Sequence, residues 1–177
     1  MNPVLNKLYT KIENQRSDLL LGVRQLTQEQ LIRNAAPGKW SIAEILSHII
    51  TAELISVQYI QKKLLGIQTL PDSGFFAELK ISLLWISQRV PGLKFKAPRY
   101  VVEHTPKYQD LAQITQEWDR VRSELHLLLE KVPDPLVKRL IYKHARAGYL
   151  NIQHALIFFH EHIVHHTPQI KKLVRSA

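Results

Sequence analysis

Apolar side chains recur at steps of three and four residues along most of this 177-residue chain, and no window alternates with period two, so the chain must fold by packing helices. Val4, Leu5, Leu8, Ile12, Leu19 and Val23 predict a first helix over residues 4–23. Thr27-Gln28-Glu29-Gln30 has the form of a capping box opening a short turn, and Ala36-Pro37-Gly38 then breaks the chain. Ser41-Ile42-Ala43-Glu44 is a second capping box, from which a long helix should run to about residue 65. Phe76, Leu79, Leu83, Ile86 and Val90 predict another amphipathic helix, stopped by Pro91-Gly92. Asp110 can cap a helix carrying Leu111, Ile114, Trp118, Val121, Leu125 and Leu128, and Asn151 can cap the last one after Gly148. Four principal helices joined by one excursion containing a fifth predict an all-α four-helix bundle with an extra helix and a long loop inserted in the middle, one domain over residues 1–177.

Zero cysteines exclude a disulfide framework, a thiolate metal site, an iron–sulfur cluster and a cysteine nucleophile. The N-terminal segment lacks the basic stretch, apolar run and cleavage site of a signal peptide, and His48, Glu53, His154 and His160 interrupt every candidate membrane span. A cytoplasmic protein with no membrane partner is expected. The formal charge of +9 attracts nucleic acid, anionic surfaces and acidic small molecules alike. Residues 91–109 are irregular, and Arg89, Lys94, Lys96 and Arg99 fall in or beside them with no acidic residue between. Such a stretch reads either as a solvated basic surface or as cover for a site.

Five of the nine histidines fall between His154 and His166, inside one predicted helix. His162 and His166 are four apart, in line with Ala155 and Phe159, so both rings face the core and can reach one ion. His160 lies on nearly the opposite side and reads as a surface residue. His48 lies mid-stripe between Ile45, Ala52, Ile55 and Tyr59, and it alone among the remaining histidines is on a clearly apolar face. Either each of the three is a core histidine with an ordinary partner, or the three share one cation. A cation satisfies three neutral rings in one apolar interior together. The donor set suits zinc or nickel, and also manganese or iron. His165 reads as an exposed ring at the edge, while His126, His104 and His154 read as non-ligands. His144 sits in a turn, where it either covers the site or meets solvent.

Pro37-Gly38-Lys39-Trp40-Ser41-Ile42-Ala43-Glu44, followed by Ile45-Leu46-Ser47-His48, resembles the PGKWSI-x-E-x-x-x-H signature of the DinB-like, YfiT-type metal-dependent four-helix bundles. His162-Ile163-Val164-His165-His166-Thr167-Pro168-Gln169-Ile170 resembles that family's H-x-x-x-H-x-x-Q-I, and His144-Ala145-Arg146-Ala147-Gly148 resembles its H-P-x-x-G turn. The resemblance implies a divalent metal held by His48, His162 and His166, a homodimer, and an activity among hydrolases and thiol transferases. Two residues depart from the pattern. Ala145 replaces the usual proline and should loosen the turn. Pro168 removes a backbone hydrogen bond near Val164 and should kink the helix just after the histidine pair, tilting His166 or reshaping the pocket.

Three protein ligands leave a coordination position free, which favours chemistry over a closed structural site. A metal there would acidify water or activate the thiolate of a small-molecule thiol. Without cysteine, the protein must import that thiol, and an anionic low-molecular-weight thiol would give Lys94, Lys96 or Arg99 a purpose. Glu44 and Gln169 come within a turn of the histidines, but capping explains Glu44, and packing serves Gln169 as well as a hydrogen bond to a ligand would. Tyr59 reads as core. The competing reading is a metal-binding stress-response or sensor protein without catalysis. Nucleic-acid binding, resting on the basic and aromatic alternation of Lys94 to Tyr100, ranks last.

Overall fold

A computed structural model describes residues 1–89 and 97–176. Side chains acting on free backbone N–H groups set most of the helix starts. Asn2 Oδ1 accepts from Val4 N at 2.9 Å and opens α1 (Pro3–Val23), with proline at the first position, where no N–H is needed. Thr27 with Gln30 opens α2 (Gln28–Ile32) as a capping box. A second box opens α3 (Ile42–Leu64): Glu44 N donates to Ser41 Oγ at 3.2 Å, and Ser41 N donates to Glu44 Oε2 at 2.8 Å. Asp110 caps α6 (Leu111–Glu130) and Asn151 caps α7 (Ile152–Arg175). Between these lie α4 (Phe75–Arg89) and the single turn α5 (Arg99–Glu103).

α1 packs on α7, α7 on α3, α3 on α6, and α6 returns to α1, which closes a four-helix bundle. One apolar cluster gathers Leu5, Ile12, Val57, Leu125, Leu156 and Phe159. Another gathers Leu19, Leu46, Ile50, Trp118, Val121 and Ile163. Each such side chain contributes about 1.5–3 kcal/mol by leaving water. α3 is buried on more than one face, and its hydroxyls are satisfied within the helix: Ser47, Thr51 and Ser56 each donate to the carbonyl four residues back at 2.7–2.8 Å. An ion pair spans α3 and α6 in the core. Glu53 accepts from Arg122 Nε at 2.9 Å, Arg122 Nη2 at 2.7 Å and Trp118 Nε1 at 2.8 Å, and Glu13 on α1 approaches Arg122 Nη1 at 3.3 Å.

Two expectations need correction. The chain does contain strands: β1 (Tyr142–His144) pairs antiparallel with β2 (Gly148–Leu150). Three residues per strand are too few for alternation to register, and Gly148 supplies the positive φ, 72°, that the turn requires. On α4 the apolar stripe of the predicted amphipathic helix faces outward, with Phe76 75% and Leu83 57% exposed, and Leu79 and Ile86 also exposed. Ala77 and Ile81 face inward instead, and Glu78 Oε2 meets the buried His154 Nε2 at 3.1 Å on α7. Ala77 and Ile81 pack this face of α4 toward α7, and the Glu78 contact with His154 lies on the same side. Val90 lies outside the described residues. α7 continues through Pro168 to Arg175, with Thr167 Oγ1 donating to Ile163 O at 2.7 Å. Among the described residues no helix is long and apolar enough to cross a membrane.

Candidate metal centre

His48 comes from α3, two turns beyond its Ser41 cap, and His162 and His166 come from successive turns of α7, so the packing of α3 on α7 brings the three together. His162 Nε2 lies 3.2 Å from His48 Nε2 and 3.2 Å from His166 Nε2. These three side chains form the one group among the described residues whose ligand atoms lie within 4.8 Å of one another. His48 and His166 are buried, and His162 is half-buried.

A neutral imidazole has one N–H and one lone pair, so His162 Nε2 can make a hydrogen bond to only one of its two neighbours. His166 Nδ1–H donates to Gln169 Oε1 at 3.1 Å, which leaves its Nε2 lone pair aimed at the cluster. The Nδ1 atoms of His48 and His162 are buried without a protein partner. Metal binding at Nε2 would leave those two Nδ1 atoms as they are; what favours a cation is that one ion can accept all three facing Nε2 lone pairs at once, which hydrogen bonds among the rings cannot do. With metal–nitrogen bonds of about 2.0–2.1 Å, the nitrogens of a tetrahedral site lie about 3.3 Å apart, close to the spacing found here.

Burial pushes His48 and His166 down to about 4, aided at His48 by the nearby His165 and at His166 by His48. Burial, then His166 and His48, hold His162 well below the ordinary imidazole value. All three are neutral at pH 7, the protonation state that binds metal. Trp40 packs against His48 with ring centroids 4.9 Å apart, and Phe158 stacks on His162 at 5.3 Å.

The cluster forms one wall of a cavity of about 330 Å³, whose other walls include Ile55, Tyr59, Val101 and Phe158. Ala97, Pro98, Tyr100 and Val101, from the stretch read as irregular, border it. Lys143 and Arg146 also line it, and among the described lining residues there is no carboxylate. These two cations were not singled out in the sequence, where nothing distinguishes them from other surface charges. Of the basic residues that were, Lys94 and Lys96 lie outside the described residues, and Arg99 is exposed and paired with Glu103 at 2.6 Å.

Several other readings change. His160 is half-buried rather than on the surface, its Nδ1 2.9 Å from Gln15 Oε1 on α1. His165 is half-buried at the cavity edge, its ring 5.0 Å from that of His166. Tyr59 is half-buried, packing against the core and also lining the cavity. His144 belongs to β1, buried and facing the cavity, and burial followed by Arg146 lowers it to about 4. Glu44 keeps its capping role and also accepts from Asn34 Nδ2 at 2.7 Å. His154, His126 and His104 stand outside the cluster.

The sequence profile of the DinB superfamily matches residues 11–170. No curated protein matches significantly. Among solved structures the fold is similar to YfiT from Bacillus subtilis, described as "a probable metal-dependent hydrolase with an unusual four-helix bundle topology". The two are 20% identical with a TM-score of 0.55, over 97% of this chain and 86% of the other.

Proposed function

The chain belongs to the DinB superfamily, and we propose that it is a metal-dependent enzyme acting on a small molecule, with His48, His162 and His166 as its metal ligands. The observation that carries this reading is the convergence of three neutral Nε2 atoms on the wall of a cavity. Zinc and nickel suit three imidazoles best, and manganese and iron are also compatible. A divalent ion supplies Lewis acidity, which acidifies a water or a thiol brought to it.

Around that ion the protein's own groups do the positioning. Gln169 holds the proton of His166 on Nδ1 and so fixes the ring's tautomer. Trp40 and Phe158 hold the rings of His48 and His162 and keep water from their faces. Thiol transfer is the reaction the cavity favours. Hydrolysis commonly enlists a carboxylate to take a proton from water, and the described lining offers none. A thiol already acidified needs no such base. Hydrolysis, the activity named for YfiT, is the second reading and rests on the shared fold.

Cobalt-substituted protein tests the proposal, since thiolate bound to cobalt gives a charge-transfer absorption that water does not. The expected result is stoichiometric cobalt, the new band on adding a small thiol, and turnover when an electrophilic acceptor follows. Protein that takes up no divalent metal refutes the whole reading. Bound cobalt whose spectrum ignores every thiol refutes the transferase and leaves hydrolysis.

A further inference from the structure

His144 is held by its own turn in a way that fixes where its proton must be. The residue ends β1 opposite Gly148 in the hairpin register, and the chain then reverses through residues 145–147. Its Nδ1 accepts two backbone hydrogen bonds, from Arg146 N at 3.2 Å and Ala147 N at 3.1 Å. A ring nitrogen that accepts carries a lone pair, so the proton of the neutral ring sits on Nε2. The arrangement also ties the turn together where the chain has Ala145, so the missing proline leaves it anchored.

The same two hydrogen bonds exclude a role as a fourth ligand. Freeing Nε2 for a metal would move the proton to Nδ1, where it would meet two N–H groups already pointing at that atom. The ring is only 8% exposed, lies edge-on to Phe158 at a centroid distance of 4.5 Å, and lines the cavity that holds the three-histidine cluster. Among the described residues no protein group accepts from its Nε2–H. That nitrogen is also absent from the sealed, unpartnered atoms of the interior, which include Nδ1 of His48, His154 and His162. The donor therefore opens onto the cavity, where a ligand can accept from it in place of water. With the Arg146 charge acting on the ring, no carboxylate among the described lining residues, and apolar walls at Ile55 and Phe158, an anionic oxygen on an apolar body is the complementary group.

We propose that His144 is a substrate-binding residue whose Nε2–H donates to the carboxylate oxygen of an apolar-bodied substrate lodged against the histidine cluster. The proposal rests on the enzymatic reading of the cavity, but its test separates the two. Long-range nitrogen–proton NMR of the metal-free protein should show His144 as the Nε2–H tautomer; the Nδ1–H tautomer overturns the proposal. Calorimetry with benzoate, and with benzyl alcohol as the uncharged control, is then run on metal-free and zinc-loaded protein. His144→Phe should weaken benzoate about tenfold or more, the usual loss for a hydrogen bond to a charged group, and leave benzyl alcohol and zinc stoichiometry unchanged. His144→Gln, whose amide N–H reaches close to the position of Nε2, should recover part of the loss and serves if the Phe variant does not fold. Equal benzoate affinity in all three proteins, no benzoate binding to the native protein, or loss of zinc with the Phe variant overturns it. If the native protein binds no zinc, the metal reading fails, and the metal-free tautomer and benzoate comparison still decide the role of His144.

Discussion

Lowering the pH is the perturbation whose outcome the burial of the cluster specifies most sharply. Protons compete with metal for each imidazole in proportion to its basicity in the folded, metal-free protein. At an ordinary pKa of about 6.5, lowering the pH to about 5 would weaken binding about 30-fold per ligand, or about 1000-fold for two. With His48 and His166 held at about 4, the same change costs the two together less than about 1.5-fold, and the further-depressed His162 adds nothing material. A surface site of three histidines would therefore empty near pH 6, whereas this one should keep its ion until about pH 4. Equilibrium dialysis against a chromophoric competitor, with elemental analysis between about pH 7 and 4, measures this directly. Trp40→Ala, which strips the ring packed at 4.9 Å from His48, should move the loss to higher pH. A thousandfold loss of affinity by about pH 5 in the native protein would refute the claim that burial keeps these rings neutral.

Folding of the metal-free protein follows the same groups. Unfolded imidazoles take up protons near 6.5 and the folded His48, His144 and His166 near 4, so their contribution to stability is complete above about pH 6.5 and is lost as pH falls toward 4, visible as a falling Tm. Alanine at His48, His162 or His166 should each remove most of the bound metal, while His160→Ala should not; full retention in the triple variant would disprove the ligand assignment. Chelation should lower Tm and leave the helical circular dichroism intact, because two apolar clusters stand without the ion; about 3 kcal/mol is expected at a hundredfold excess of metal over Kd. Arg122→Met strands the buried Glu53 carboxylate and should cost about 3–5 kcal/mol in urea unfolding, while adding Glu53→Leu should recover part of it; strict additivity of the two would argue against coupling in the pair.

The helix starts and the three histidines could be read from the sequence because both are local. A capping box is complete within four residues, and His48, His162 and His166 each lie on an apolar stripe whose phase a helix fixes by itself. Such periodicity shows which side chains share a face, but it does not say which face meets a neighbour. On α4 the larger stripe faces outward, while Ala77 and Ile81 pack toward α7 and Glu78 meets His154 on the same side. The hairpin at residues 142–150 is too short to leave a pattern, and it turns His144 from a turn residue into a buried one. The pairing of Glu53 with Arg122, 69 residues away, depends on α3 packing on α6. The cavity likewise depends on groups far apart in the chain, its walls coming from α3, α5, β1 and α7. Local hydrogen bonding and periodicity therefore determined the helices and the metal-ligand candidates, and local hydrogen bonds from Arg146 N and Ala147 N set the tautomer of His144, while the choice of buried face and the absence of a carboxylate among the described residues around the site were decided by long-range packing, which brings together groups that no short stretch of sequence contains.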